Sequence, residues 1–183
     1  MNEGLISKRY AKALYEHAYN LGQEAVLYHR MQILETLWRR MPDLRTSLIS
    51  PIPVETKISL LKNATGKNAE KSYLDFIDLV IANHRAEYVL MIALSYQMLY
   101  RKKKRISVVR LVSAKRLPPR ALKRLRRLTE EKTHGKVELH NRIDPSIQGG
   151  FIYQLNDLRI DASVKGQLDR ITRQLTQTGR SII

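Results

Sequence analysis

Five histidines (His17, His29, His84, His134 and His140) are the side chains best suited to move a proton near neutral pH or to hold a metal ion. Their spacing supports neither role. None falls in a His-Glu-x-x-His pattern or at another metal-ligand interval, and Glu16-His17 and Asn83-His84 read as surface or helix-end residues. Asp75 and Asp78 stand three apart and share one helical face, as a carboxylate pair would. Lys71 lies four residues before Asp75 on that same face, which reads as a solvated charged surface. Gly66-Lys67 lacks the upstream glycine and the following Ser or Thr of a phosphate-binding loop, and no Gly-x-Ser-x-Gly elbow occurs. The chain has no cysteine, which excludes disulfides, thiolate metal sites and a cysteine nucleophile. No catalytic residue, metal ligand or cofactor is expected, and the chain does not read as an enzyme.

Charge is the stronger signal. The chain carries 33 Lys or Arg against 17 Asp or Glu, a net charge of +16. Residues 101–127 hold 13 of the basic side chains and no acidic one, which leaves 20 basic against 17 acidic elsewhere, a balance of only +3. A positive field this local attracts nucleic acid, a lipid headgroup layer or an acidic protein. The run Arg101-Lys102-Lys103-Lys104-Arg105 therefore has three readings: a nucleic-acid patch, a membrane-surface contact, or a solvated helix end favoured by the macrodipole. Downstream, Arg120, Lys123, Arg124, Arg126 and Arg127 surround a leucine stripe, a surface able to hold RNA phosphates. Yet residues 101–135 contain no Phe, Tyr or Trp on which bases would stack. A basic RNA- or ribosome-binding protein using 101–127 stands as the alternative reading; no nucleic-acid partner is expected.

The elements that would position these residues fall into two groups. Hydrophobic residues make up 43% of the 183, enough for a buried core, and the length suits one domain or two small ones. The apolar runs, such as Tyr88–Leu94, fall far short of the roughly 20 residues of a bilayer span. The opening Met-Asn-Glu-Gly has no secretory pattern. Direct membrane insertion is not expected.

Leu5, Ile6, Tyr10, Ala13, Leu14, Ala18 and Leu21 recur mostly at three- and four-residue steps, predicting a helix from Asn2 to Asn20 that Gly22 stops. Val26, Met31, Leu34, Leu37, Trp38 and Met41 predict a second, ending at Pro42. A short helix bearing Leu44 and Leu48 follows, and Ser50-Pro51-Ile52-Pro53 breaks the chain. Val54 to Ala64 reads as a fourth helix. Tyr73, Phe76, Ile77, Val80 and Ile81 mark a fifth; Val89, Ile92, Ala93, Tyr96 and Leu99 mark a sixth.

Beyond the basic run the pattern changes. Ile106–Ser113 is rich in β-branched residues and reads as a strand. Pro118-Pro119 opens an amphipathic helix with Leu122, Leu125 and Leu128 on its stripe, ended by Gly135. Val137–Ile143 alternates like a half-buried strand. Asp144-Pro145-Ser146 turns into a strand over Gly149–Leu155, and Asn156-Asp157 turns into Leu158–Ile160. A last helix carries Val164, Leu168, Ile171 and Leu175. The expected fold is mostly α: a six-helix bundle over 1–105, then a small α/β domain over 106–183.

Two local features bear on function. The first helix mixes small Ala13 and Ala18 with Tyr10 and Leu14, which lets another helix approach closely, within its own bundle or from a partner. Gly149-Gly150 marks a tight backbone position, a close approach by another chain or, more simply, a turn after Pro145. Asp161 and Ser163 precede an amphipathic run, and either can cap its free amides; Val164, Leu168 and Ile171 would then face the sheet.

Three stretches carry a family resemblance. The first is Arg9-Tyr10-Ala11-Lys12-Ala13-Leu14 with Ala18. The second runs from Leu74 through Asn83, His84 and Arg85 to Ser107–Ala114 and Leu117. The third is Asp144-Pro145-Ser146-Ile147-Gln148-Gly149-Gly150-Phe151 followed by Asp161-Ala162-Ser163-Val164-Lys165-Gly166-Gln167-Leu168. In order and spacing they resemble the delta subunit family of bacterial F-type ATP synthase, related to the mitochondrial oligomycin-sensitivity-conferring protein. The heavy Arg/Lys content of 101–127 departs from that pattern.

The resemblance implies a non-catalytic stator subunit that resists rotational torque during proton-driven ATP synthesis, peripheral on the cytoplasmic face of the bacterial inner membrane. It implies that the N-termini of the alpha subunits dock between the first and fifth helices, here Tyr10, Ala13, Leu14 and Ala18 opposite Phe76, Ile77, Val80 and Ile81. It further implies that the C-terminal part holds the b-subunit stalk, here through Val164, Leu168, Ile171 and Leu175. Asp144, Pro145, Gly149, Gly150, Asp161 and Ser163 form the family's structural motif.

Overall fold

The computed structural model describes residues 3–64, 66 and 69–180, with the backbone alone for Glu3, Ala64 and 175–180. The chain is mostly helical with a small mixed sheet, and it divides into two compact units between Lys103 and Lys104.

The first unit comprises α1 (Glu3–Asn20), α2 (Glu24–Arg40), α3 (Pro42–Ile49), α4 (Val54–Ala64), α5 (Lys71–Ala82), a 3-10 turn (Ala86–Tyr88) and nearly all of α6 (Val89–Lys104). Gly22 ends α1 in the left-handed region (φ +66°). The Gln23 amide then donates to Ala18 O at 2.8 Å and the Gly22 amide to Tyr19 O at 3.0 Å, a Schellman closure. Pro42 starts α3, where its missing N–H costs nothing. Leu27, Met31 and Leu34 of α2, Leu48 of α3, Leu61 of α4, Tyr73, Ile77 and Val80 of α5, and Ile92 and Tyr96 of α6 are fully buried.

Links between helices satisfy most of the buried polar groups of this unit, and Ser72 Oγ is the exception among the described residues. Tyr73 Oη donates to Leu61 O and Tyr96 Oη to Glu24 O, each at 3.0 Å. Gln97 Nε2 donates to Met31 O at 3.2 Å and to Glu35 Oε2 at 3.0 Å. Arg30 holds Glu70 at 2.9 Å. Burial pushes the Glu70 carboxyl up, but Arg30's hydrogen bond and charge and a backbone hydrogen bond bring it below its ordinary value.

One expectation for α1 is corrected. Its buried stripe is Ser7, Ala11, Leu14 and Ala18, flanked by Ile6 and Tyr15, whereas Leu5 is 60% exposed and Leu21 40%. Three- and four-residue steps trace two neighbouring stripes on this helix. The stripe with the smaller side chains turned inward, where it lets α1 lie close to its neighbours.

The second unit comprises β1 (Ile106–Ser113), α7 (Pro119–Thr133), β2 (Lys136–Ile143), a 3-10 turn (Pro145–Ile147), β3 (Gly150–Leu155), β4 (Leu158–Ser163) and α8 (Val164–Arg180). The sheet order is β2-β1-β3-β4. β1 and β2 are parallel, so α7 serves as the crossover; β3 pairs antiparallel with both β1 and β4. Val109, Leu111 and Val137 share the buried sheet face. Thr129 of α7 reaches Tyr153 on that face, with 3.1 Å between the two hydroxyls. β3 starts at Gly150 rather than at the expected Gly149.

Candidate functional site

Within the first unit, α1 and α5 pack against each other and leave a cleft of about 320 Å³ lined by Tyr10, Ala13, Leu14, His17, Asp75, Phe76 and Leu79. A second cleft of about 360 Å³, lined by Ile6, Arg9, Tyr10, Ala13, Leu79 and Arg85, shares Tyr10, Ala13 and Leu79 with the first. Together they make one furrow along α1 from Ile6 to His17. The outer stripe of α1 forms one wall, and Ala13 keeps that wall low. Leu79, 52% exposed, supplies apolar surface from α5.

The two ends of the furrow differ. At one, Arg85 Nη1 donates to Tyr10 Oη at 2.7 Å, its guanidinium carbon is 5.1 Å from the Tyr10 ring centroid, and Arg9 lies on the same lining. At the other, His17 Nε2 stands 3.0 Å from Asp75 Oδ2. A histidine–carboxylate pair is two-thirds of a hydrolytic triad, but no Ser, Thr or Cys lines this cleft to act as nucleophile. Apolar walls with charged ends suit the flank of an amphipathic helix.

Four of the eight residues read from sequence line the furrow: Tyr10, Ala13, Leu14 and Phe76. Ala18, Ile77 and Val80 are fully buried behind it. Ile81 lines a separate cleft of about 340 Å³ beside Pro51 and Ile52. Ile6, Arg9, His17, Asp75, Leu79 and Arg85 also line the furrow, outside the set of eight that the resemblance implies. A usable signal was present: Phe76, Ile77, Leu79, Val80 and Ile81 make α5 apolar on more than one face, so it has more apolar surface than one buried face takes up.

In the second unit the motif residues build architecture. Asp161 Oδ1 accepts from the amide and hydroxyl of Ser163, at 3.0 and 2.6 Å. Ser163 Oγ accepts from the Gly166 amide at 3.0 Å. Ser163 is therefore the cap of α8, and Asp161 holds the cap in place. These hydrogen bonds from Ser163, with Arg159 nearby, keep the Asp161 carboxyl below its ordinary range. Asp144 repeats the arrangement with Ser146 and is lowered in the same way. Pro145 opens the following turn. Gly149 O accepts the first amide of α8, from Val164, at 3.1 Å. Gly150 has φ +71°, and a Cβ there would collide with Ala162 O of the paired strand. Gly150 thus serves close backbone approach within the unit, and Gly149 the close approach of the Val164 side chain.

The expectation that Val164, Leu168 and Ile171 face the sheet is corrected. α8 packs against β4 and the Pro145–Ile147 turn, and these three residues are 42%, 51% and 52% exposed. They form an apolar stripe; the Leu175 side chain lies outside the described residues. On the sheet face opposite α7, Arg110, His140, Arg142 and Arg159 surround a cleft of about 320 Å³. Of the basic stretch, Lys102, Lys103 and Lys104 are exposed at the end of α6, and Arg120, Lys123, Arg124, Arg126 and Arg127 are exposed on α7. Arg101 is anchored instead, its Nε donating to Tyr28 Oη at 2.8 Å. Among the described residues no group of His, Asp or Glu could hold a metal ion, and no helix is long and apolar enough to cross a membrane.

Residues 6–175 match the family described as ATP synthase delta (OSCP) subunit. The chain is 38% identical to ATP synthase subunit delta of Phocaeicola vulgatus over 182 residues, 98% of each chain. It is 39% identical to that of Bacteroides thetaiotaomicron over 186 aligned positions, covering both chains fully. Among solved structures, a chain in the cryo-EM structure of the Toxoplasma gondii mitochondrial ATP synthase hexamer has a similar fold. Its TM-score is 0.69 at 21% identity, over 96% of this chain and 98% of that one.

Proposed function

Because the chain belongs to the ATP synthase delta (OSCP) subunit family, we propose that it is the non-catalytic joint of the stator, tying the catalytic head to the peripheral stalk. The N-terminal helical unit, acting as one six-helix bundle, receives the N-terminal helix of an alpha subunit. The C-terminal unit, residues 106–183, holds the end of the b-subunit stalk through the Val164–Leu168–Ile171 stripe. The protein sits peripherally on the cytoplasmic face of the bacterial inner membrane. There it resists the sideways push that the turning shaft exerts on the head during proton-driven synthesis.

The observation that carries this reading is the furrow between α1 and α5. Apolar side chains line it along α1, and charged side chains flank it toward both ends. A helix laid there buries an apolar stripe at roughly 25 cal/mol per Å². Affinity and stiffness are what a static joint needs, and acid–base chemistry is not. The alternative, RNA binding through 101–127, draws no support from the relatives found.

The test is calorimetric titration of a peptide of the cognate alpha subunit's N-terminus into the full chain, alongside Ala13→Trp, which fills the furrow from an exposed position. Binding that Ala13→Trp abolishes is the expected result. A wild-type chain that takes up no peptide overturns the reading.

A further inference from the structure

We infer that Arg9 and Arg85 form a carboxylate-binding end to the furrow, so that an acidic side chain on the docked helix fixes its register. This rests on the reading of the furrow as a helix-binding site and adds what the site selects.

Arg85 is already set in place. Tyr10 takes one of its five N–H donors, at 2.7 Å, and stacks beneath the guanidinium at 5.1 Å. The other donors belong to a planar group whose orientation is fixed before any ligand arrives, so little ordering is lost on binding. Arg9 lines the same cleft. No carboxylate among the described residues pairs with either arginine. The contrast with other arginines of this unit is direct: Arg30 is held by Glu70 at 2.9 Å and Arg39 by Glu35 at 3.1 Å.

An apolar helix laid along the furrow shields Arg9 and Arg85 from water. Removing hydration from a cation without giving it a partner is unfavourable. The occupant that fits therefore brings an acceptor to this end, and a carboxylate matches the guanidinium fork. The opposite end does not compete for it. There the carboxylate of Asp75 faces His17, and Asp78, on the next turn of α5, is paired with Lys62 at 3.0 Å. A second carboxylate beside Asp75 is repelled. The two ends thus discriminate between registers by attraction at one and repulsion at the other.

The test is a set of double-mutant cycles by calorimetry. The full chain, Arg85→Gln and Arg9→Gln are each titrated with the cognate alpha N-terminal peptide and with variants in which each Asp or Glu is replaced singly by Asn or Gln. The expected result is about a tenfold affinity loss for Arg85→Gln. One peptide position should lose affinity against the wild-type chain and almost none against Arg85→Gln. Arg9→Gln, at an exposed position, repeats the cycle should Arg85→Gln unfold. A wild-type peptide that binds with every cycle additive overturns the inference and leaves the furrow reading standing. Binding by a peptide with no acidic residue does the same. No binding by any peptide removes both.

Discussion

His17 Nε2 and Asp75 Oδ2 lie 3.0 Å apart, a strap between α1 and α5 at one end of the furrow. Both side chains are 44% exposed, and pairs in that setting contribute between about 0 and 1 kcal/mol. Replacing Asp75 by Asn should lower stability in urea by no more than that. A loss above about 2 kcal/mol would mean that the strap, and not the buried stripe of Ser7, Ala11, Leu14 and Ala18, holds α1 onto the unit.

The Ser163 cap predicts a stability and pH signature. Ser163→Ala removes the acceptor for the Gly166 amide and should cost about 1 kcal/mol, typical of a lost cap. Asp161→Asn keeps an oxygen in place but removes its charge. The folded carboxyl is held below its ordinary value, first by the Ser163 hydrogen bonds. Its contribution is therefore complete above about pH 4, the usual unfolded value, and is lost as pH falls through the lower folded one. The stability gap between wild type and Asp161→Asn should accordingly be widest at neutral pH and narrow in acid. Denaturant titrations at several pH values measure it; a gap that grows in acid contradicts the arrangement.

Much of this architecture was legible because backbone punctuation is local. Gly22, Pro42 and the Pro51-Ile52-Pro53 break ended helices where their missing side chain or missing N–H dictates, and alternation marked Val137–Ile143. What covers an apolar stripe is not local. Steps of three and four residues in α1 did not choose between the stripe of Ala11 and that of Ala13. The stripe of α8 looked like core and is half-exposed. In α5 the resemblance points to Ile77 and Val80 as groove, yet both are fully buried and Leu79, in the same helix, is the exposed one. One end of the furrow combines Arg85 with Tyr10, far apart in sequence, and no spacing rule points to such a pair.

Gly149 and Gly150 should respond unequally to alanine. At Gly149 the added Cβ meets Val164 Cγ2 at 2.9 Å, a side-chain contact that a small shift relieves. At Gly150 it meets the Ala162 carbonyl, a backbone group, in a left-handed conformation. Gly150→Ala should destabilise the second unit by about 3 kcal/mol or more, and Gly149→Ala by about 1 kcal/mol. Chemical denaturation followed by far-UV dichroism ranks them; equal losses would mean that the β3–β4 pairing is looser than the register implies.

The exposed stripe of α8 separates folding from assembly. Leu168 is 51% exposed and Ile171 52%, so an aspartate at either position buries no charge and should change stability by about 0.5 kcal/mol or less. If the stripe is where the stalk docks, the same aspartate places an unpaired carboxylate in an apolar contact, and the cost falls on binding. Leu168→Asp should therefore melt like the wild type yet fail to retain the b subunit when the complex is purified by a tag on this chain. The alpha subunit should stay bound, because its proposed site lies in the other unit. Retention of b at wild-type levels by the folded variant would move the stalk contact away from α8, and the sheet face bearing Arg110, His140, Arg142 and Arg159 would be the next surface to substitute.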